Sequence, residues 1–231
     1  MSRRIIFLDL DETILDFKKA EDHALRKTLA ELNVTPSDEI VAMYSEINDG
    51  YWKKLEKGEM TRDQILSGRF ATLYERLGVD RDPILTWKTY ESNISNCGFV
   101  LDGAIELLSE LSKSYELYGA SNGTASVQDK RIEASGIAPY FKDIFISQRI
   151  GYNKPDKRFF DICFENANVT DINDCVMIGD SLSSDIKGGK NAGIITVWYN
   201  PKGKEPTPDI LPDYQVSSLD MIPIVLEMIF S

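Results

Sequence analysis

The sequence predicts an α/β protein: a mostly parallel sheet with helices on both faces, interrupted after its first strand by an all-helical insert. Three observations carry this. Residues 4–10 (RIIFLDL) are a short, nearly continuous apolar run, as in a strand buried on both faces. Residues 97–231 alternate strand-like and helix-like patterns, the rhythm of right-handed crossovers onto a parallel sheet. Residues 16–96 show helical spacing and no convincing strand.

In chain order, the first strand lies in 4–10. Three apolar series follow: Leu25, Leu29 and Leu32; then Val41, Tyr44, Ile47, Tyr51 and Leu55; then Leu66, Phe70, Leu73 and Leu77. Their steps of three and four make one apolar stripe per helix. Thr35-Pro36-Ser37 and Gly58 are breaks, and Thr61 with Gln64 forms a capping box opening the third helix. Beyond residue 97 the expected strands are 115–120, 143–147, 175–179, 194–199 and a weaker 214–216. The expected helices are 103–112, 127–134, 158–167, 185–192 and 220–230. The four prolines within 200–212 predict an extended loop. The domains expected are therefore 1–15 with 97–231, and 16–96.

Composition narrows the chemistry. The 231 residues are 42% hydrophobic and 27% charged, enough apolar material for a core. A net charge of −11 argues against a nucleic-acid polymer as partner, because that affinity comes from cations on phosphates. A small phosphorylated metabolite stays compatible if a metal and one or two local cations meet its charge. One histidine, His23, excludes a two-histidine zinc site and leaves little room for histidine catalysis. Cys97, Cys163 and Cys175 are scattered and odd in number, with no CxxC, which points to a reducing cytoplasm. The apolar run Ile5–Leu8 is too short for a leader, and no run is long enough for a membrane. Monomer and homodimer both suit this composition.

Ligands of a parallel sheet bind beyond the carboxyl ends of its strands. The first strand is followed by Asp9-Leu10-Asp11-Glu12-Thr13, the second by Ser121-Asn122-Gly123, the third by Asn153-Lys154-Pro155 and the fourth by Asp180 through Asp185. Crowded carboxylates need a cation, and an all-oxygen set selects a hard one, Mg2+ above all. The expected ligands are Asp9, Asp11, Asp180 and Asp185, with Asp185 open between direct ligation, a place behind the ligands, and an acidic residue favouring its helix N-terminus. Lys154, Ser121 and the Asn122 side chain are the expected phosphate-binding groups. The chemistry inferred is phosphoryl transfer to Asp9 and hydrolysis of the aspartyl-phosphate. Asp11 is the expected acid and then base, its carboxyl pushed up by partial burial and neighbouring negative charge.

These residues resemble the haloacid dehalogenase (HAD) superfamily. Asp9-Leu10-Asp11-Glu12-Thr13 matches its DxDx[TV] motif, Ser121 the second-motif Ser/Thr, Lys154 the third-motif Lys, and Gly179-Asp180 with Asp185 the GDxxxxD motif. The resemblance implies a Rossmann-like core with a helical C1 cap, an Mg2+-dependent phosphomonoesterase, and substrate selection by the cap. Ser121 and Lys154 lie too close in sequence for a second cap between them. The chain is further similar to the noncanonical pyrimidine nucleotidases (YjjG-like). The likeness runs through Leu15-Asp16-Phe17, Ser121-Asn122-Gly123, the segment from Phe145-Ile146-Ser147 to Lys154-Pro155-Asp156-Lys157-Arg158, and Gly188-Gly189-Lys190-Asn191-Ala192-Gly193. It implies nucleoside 5′-monophosphates as substrates. Sugar-phosphate and phosphoglycolate phosphatases are the alternative, with 2-haloacid dehalogenase and a phospho-signalling module further off. Asp11 and Asp180 speak against dehalogenation, since a halide leaves without a proton and needs no cation.

Within the insert, Asn48 and Trp52 stand one helical turn apart, so a base stacked on Trp52 would reach Asn48. The competing reading is an aromatic stripe of ordinary core. Lys130, Arg131 and Arg158 read as solvated helix charges, His23 as an ordinary histidine of the insert, and the cysteines as small core residues.

Overall fold

The computed structural model describes residues 3–231. Its strands are β1 (Ile5–Leu8), β2 (Glu116–Ser121), β3 (Asp143–Ile146), β4 (Cys175–Gly179), β5 (Ile195–Tyr199) and β6 (Tyr214–Val216). They form one parallel sheet in the order β3-β2-β1-β4-β5-β6. The order runs outward from β1 in both directions, so the sense in which successive strands are added reverses between β1 and β4 while every strand stays parallel. That is where an α/β sheet opens a crevice for ligands.

Alternation along each strand divides the core in two. Ile6 and Leu8 of β1, with Val176 and Ile178 of β4, face one layer. That layer is built by α5 (Ala104–Leu111) and α10 (Ile222–Ile229), through Leu107, Leu108, Leu111, Val225 and Leu226. Ile5, Phe7, Cys175 and Met177 face the other layer, where α8 (Lys157–Asn166) supplies Phe159, Phe160 and Cys163. Both faces are apolar, which is why β1 and β4 read as unbroken apolar runs. α6 (Ala125–Ser135), the short α7 (Ser147–Ile150) and α9 (Lys187–Ala192) complete the crossovers.

Between β1 and α5 lie four helices: α1 (Phe17–Glu31), α2 (Asp38–Glu56), α3 (Arg62–Leu77) and α4 (Pro83–Ile94). Three apolar series predicted three of them. The fourth was not read because its burial contradicts its polarity. α4 exposes Ile84 and Leu85 and buries Thr86 and Asn93 beside Tyr90 and Ile94. Its legible signal was the start, where Asp82 caps the backbone and Pro83 sits at the first turn. The capping box of Thr61 and Gln64 is present. The bundle encloses its own core of Ala24, Leu25, Leu29, Tyr44, Phe70, Leu73 and Tyr90.

The chain enters and leaves this bundle along one narrow strap. Asp16 N–H donates to Phe99 O (3.0 Å) and Leu101 N–H to Ile14 O (2.9 Å). The helix expected at 185–192 begins earlier, as a wide π turn over Leu182–Ile186 that runs into α9. The Asp185 carboxylate folds back onto Ser181 N–H (3.0 Å), which draws that turn open. Among the described residues no helix is long and apolar enough to cross a membrane.

Candidate active site

A cleft of about 240 Å³ lies between the carboxyl edge of the sheet and the helical bundle. Asp9, Asp11, Ser121, Asn122, Asp180 and Asp185 line its floor, and Asn48, Trp52, Glu56, Arg69 and Trp87 line its roof. Strand ends from β1, β2 and β4 therefore meet, together with Lys154 from the loop after α7.

Lys154 organises the floor. It is 1% exposed, and its ammonium donates to Asp9 Oδ1 (2.7 Å), Asp185 Oδ1 (2.6 Å) and the Ala120 carbonyl. Burial works to lower its affinity for the proton, but Asp185 and Asp9 outweigh it and hold the ammonium above the usual lysine range. Burial, reinforced by Asp185, pushes Asp9 well above the usual carboxylate range. Burial and Asp185 likewise push Asp180 up to about 8. Gly179 makes the approach possible: a Cβ there would stand 2.2 Å from Asp185 Oδ2. Trp198 Nε1–H donates to the Asp180 carbonyl (2.8 Å) and steadies the loop that carries it.

Asp9, Asp180 and Asp185 each present an oxygen, all within 4.8 Å of one another. Three carboxylates, two of them buried and Asp180 half-buried, crowd beside one ammonium, so there is more acid than fixed positive charge. Hard oxygen donors with no nitrogen or sulfur fit a cation of the Mg2+ class. The Asp11 carboxylate stands outside this cluster, although it was expected among the ligands. Arg131 Nη1–H donates to its Oδ1 and Gln128 Nε2–H to its Oδ2 (2.9 Å). Its immediate neighbours are thus a cation and an amide, where crowding by carboxylates was expected.

Asn122 and Ser121 have different surroundings. The Asn122 side chain clasps the backbone of Lys154, accepting from its N–H (2.9 Å) and donating to its carbonyl (2.8 Å). The Asn122 side chain thus sets the position of Lys154. Ser121 Oγ, by contrast, faces the cleft floor and accepts from Gln128 Nε2–H (2.8 Å) and Gly123 N–H (3.0 Å).

Arg131 was read as a solvated helix charge; it is 1% exposed. The i, i+3 spacing of Gln128 and Arg131 on α6 carried the signal, but only knowledge that α6 crosses the cleft could have revealed it. The roof holds a second buried cation, Arg69, which is 3% exposed. Its guanidinium lies 5.0–5.9 Å from the ring centres of Tyr44, Phe70, Trp87 and Tyr90, and among the described residues no carboxylate is in ion-pair range. Asn48 joins it to Glu21: Nδ2–H donates to Glu21 Oε1 (2.7 Å) and Oδ1 accepts from Arg69. The Asn48 amide thus belongs to the bundle's own network, and Arg69 is the polar group it places at the roof. Trp52 lines the cleft with Arg62 over its ring at 5.5 Å.

Polar contacts tie roof to floor. Arg62 donates to Asn122 O (3.0 Å), Ser147 Oγ (2.9 Å) and Asn153 Oδ1 (2.9 Å). All three acceptors are neutral, and burial pushes the Arg62 guanidinium down to about 10. Glu56 accepts from Ser183 Oγ (2.7 Å), and burial raises its carboxyl. His23 packs edge-on against Phe99, and all three cysteines are free and buried.

The family model of haloacid dehalogenase-like hydrolases matches residues 4–193. The chain belongs to this family. Among relatives, it is 38% identical to YfnB of Bacillus subtilis, a HAD-hydrolase by name, over 97% of this chain and 96% of that protein. It is 36% identical to the pyrimidine 5′-nucleotidase PynA of Streptococcus pneumoniae, covering 94% of this chain and 92% of PynA. Against the pyrimidine 5′-nucleotidase YjjG of Escherichia coli the identity is 33%, over 93% of both chains. The crystal structure of magnesium-bound YfnB superposes with a TM-score of 0.93, over 98% of this chain and 99% of that one. The HAD assignment made from four motifs is thus met across the whole chain, and this chain is a hydrolase built on the HAD core.

Proposed function

We propose that this HAD hydrolase is an Mg2+-dependent phosphomonoesterase acting on pyrimidine nucleoside 5′-monophosphates. The observation that carries the first half is the floor of the cleft: a buried carboxylate at the end of β1, held by a buried lysine and set in a carboxylate cluster suited to a hard cation. The names of PynA and YjjG support the second half, since both match nearly the full chain.

Asp9 is the nucleophile in this reading. Its Oδ attacks phosphorus, the bond to the ester oxygen breaks, and an aspartyl-phosphate forms. Asp11 gives a proton to the departing alkoxide and then takes one from the water that hydrolyses the intermediate. Ser121 and Lys154 hydrogen-bond the phosphoryl oxygens. Asp9, Asp180 and Asp185 would hold the cation, which when bound offsets the charge of the phosphoryl group against these carboxylates. Residues 16–96 would act as a cap that excludes water and selects the leaving group, with Trp52, Trp87 and Arg69 facing the base. Arg69 suits a carbonyl acceptor of a pyrimidine, and the aromatic walls suit its plane.

Phosphate release from UMP, dTMP, ribose 5-phosphate and phosphoglycolate, with Mg2+ and with EDTA, tests this. Pyrimidine monophosphates should lead the panel, and EDTA should abolish turnover. Asp9→Asn and Asp11→Asn should each remove activity while the protein stays folded. Turnover that survives both substitutions refutes the mechanism, and a panel led by sugar phosphates refutes the substrate class.

A further inference from the structure

α6 brings two side chains, Gln128 and Arg131, to Asp11, the carboxylate named on the cleft floor that lies outside the cluster. Gln128 is 1% exposed, and its Nε2 donates both to Asp11 Oδ2 (2.9 Å) and to Ser121 Oγ (2.8 Å). Arg131 Nη1 donates to Asp11 Oδ1 and to Gln128 Oε1 (3.0 Å), and Nε donates to Cys97 O (3.2 Å). Nη2 of Arg131 is buried, has no hydrogen-bond partner among the described residues, and belongs to a residue lining the cleft. Gly123 lets the amide in: a Cβ there would stand 2.6 Å from Gln128 Cγ.

A buried donor left unpaired is costly, and a structural arginine would be expected to use all its nitrogens. This one uses two on protein acceptors, and its guanidinium lies over the Phe17 ring at 5.5 Å. Both oxygens of Asp11 are meanwhile fixed from one helix face.

We propose that Gln128 and Arg131 are positioning residues that hold the Asp11 carboxyl in the orientation from which it serves the ester oxygen. The proposal rests on the phosphomonoesterase reading. In the step concerned, the bond between phosphorus and the ester oxygen breaks as the bond from Asp9 to phosphorus forms. The ester oxygen takes its proton from Asp11, leaving as an alcohol, and the Asp11 carboxylate is left beside Arg131. A side chain that aims this proton matters most where the leaving group needs it. An alkyl alkoxide needs the proton; p-nitrophenolate leaves without one.

The test compares kcat/KM of the Mg2+-loaded enzyme for UMP, an alkyl monoester, and for p-nitrophenyl phosphate. Arg131→Met and Gln128→Met are the variants, with Arg131→Lys as the conservative rescue. The expected result is a loss on the order of 10²-fold for UMP and less than about tenfold for the aryl ester. Arg131→Lys should recover part of the UMP rate. Equal losses on both esters, or no loss on either, overturn the proposal. If Arg131→Met does not fold, the Gln128→Met ratio decides by the same criterion. A wild-type enzyme that hydrolyses neither ester would instead sink the phosphomonoesterase reading itself.

Discussion

Replacing Lys154 by Met removes the charge that holds the floor together and keeps most of the stem. In the cation-free protein, Asp9 and Asp185 would lose an ammonium at 2.7 and 2.6 Å, and both carboxylates are buried. Breaking a buried pair from one side costs about 3–5 kcal/mol, because a charge stays behind without a partner. A chain of this size shifts by roughly 2–4 °C per kcal/mol, so melting should fall by roughly 6–20 °C in EDTA. Mg2+ meets the same carboxylates and should raise the melting temperature of the variant more than that of the wild type. Circular dichroism melts of both proteins, with EDTA and with excess Mg2+, measure this. A variant that melts within about 2 °C of wild type in EDTA would show that Lys154 neutralises nothing there.

Other consequences follow from the same groups. Asp9 and Asp180 are raised above their unfolded values, so the stability they allow is present at low pH and lost as pH rises toward about 8; EDTA melts should drop across that window, and Mg2+ should flatten the slope. A flat EDTA profile would contradict the crowding. Arg69→Met should weaken kcat/KM for UMP about tenfold or more while ribose 5-phosphate, which has no base, changes little; Arg69→Lys should lie between them. Equal losses on the two substrates would remove Arg69 from substrate contact. Burial raises the Cys97 and Cys163 thiols and pushes Cys175 up to about 12. A disulfide reagent at neutral pH should therefore label none of them until denaturant is added, and rapid labelling of the native protein would refute this burial.

The sheet and the chemical floor were legible because both are written locally. A strand buried on two faces must be apolar throughout, as 175–179 is, and residues just past such strands converge whatever the intervening sequence. The other polar groups of the cleft were less legible because they are buried by partners far away in sequence. Arg131 resembles any helix charge until Asp11 is placed against it, 120 positions away. Asn48 presents a plausible hydrogen-bonding face until Glu21 and Arg69 are found to occupy it. Asn122 carries the same lesson, since its partner Lys154 reaches it only through the β2–β3 crossover. α4 escaped because it places Thr86 and Asn93 inward and Ile84 outward.

The paired segments at 14–16 and 99–101 bring the ends of the helical insert side by side. A graft of any length can be sewn into such a seam without stretching β1 or displacing α5, because the two stitches already touch. In a lineage built this way, the phosphoryl chemistry can stay fixed while the covering module is exchanged. On the proposed reading, new preferences for the leaving group can then arise without disturbing Asp9 beneath.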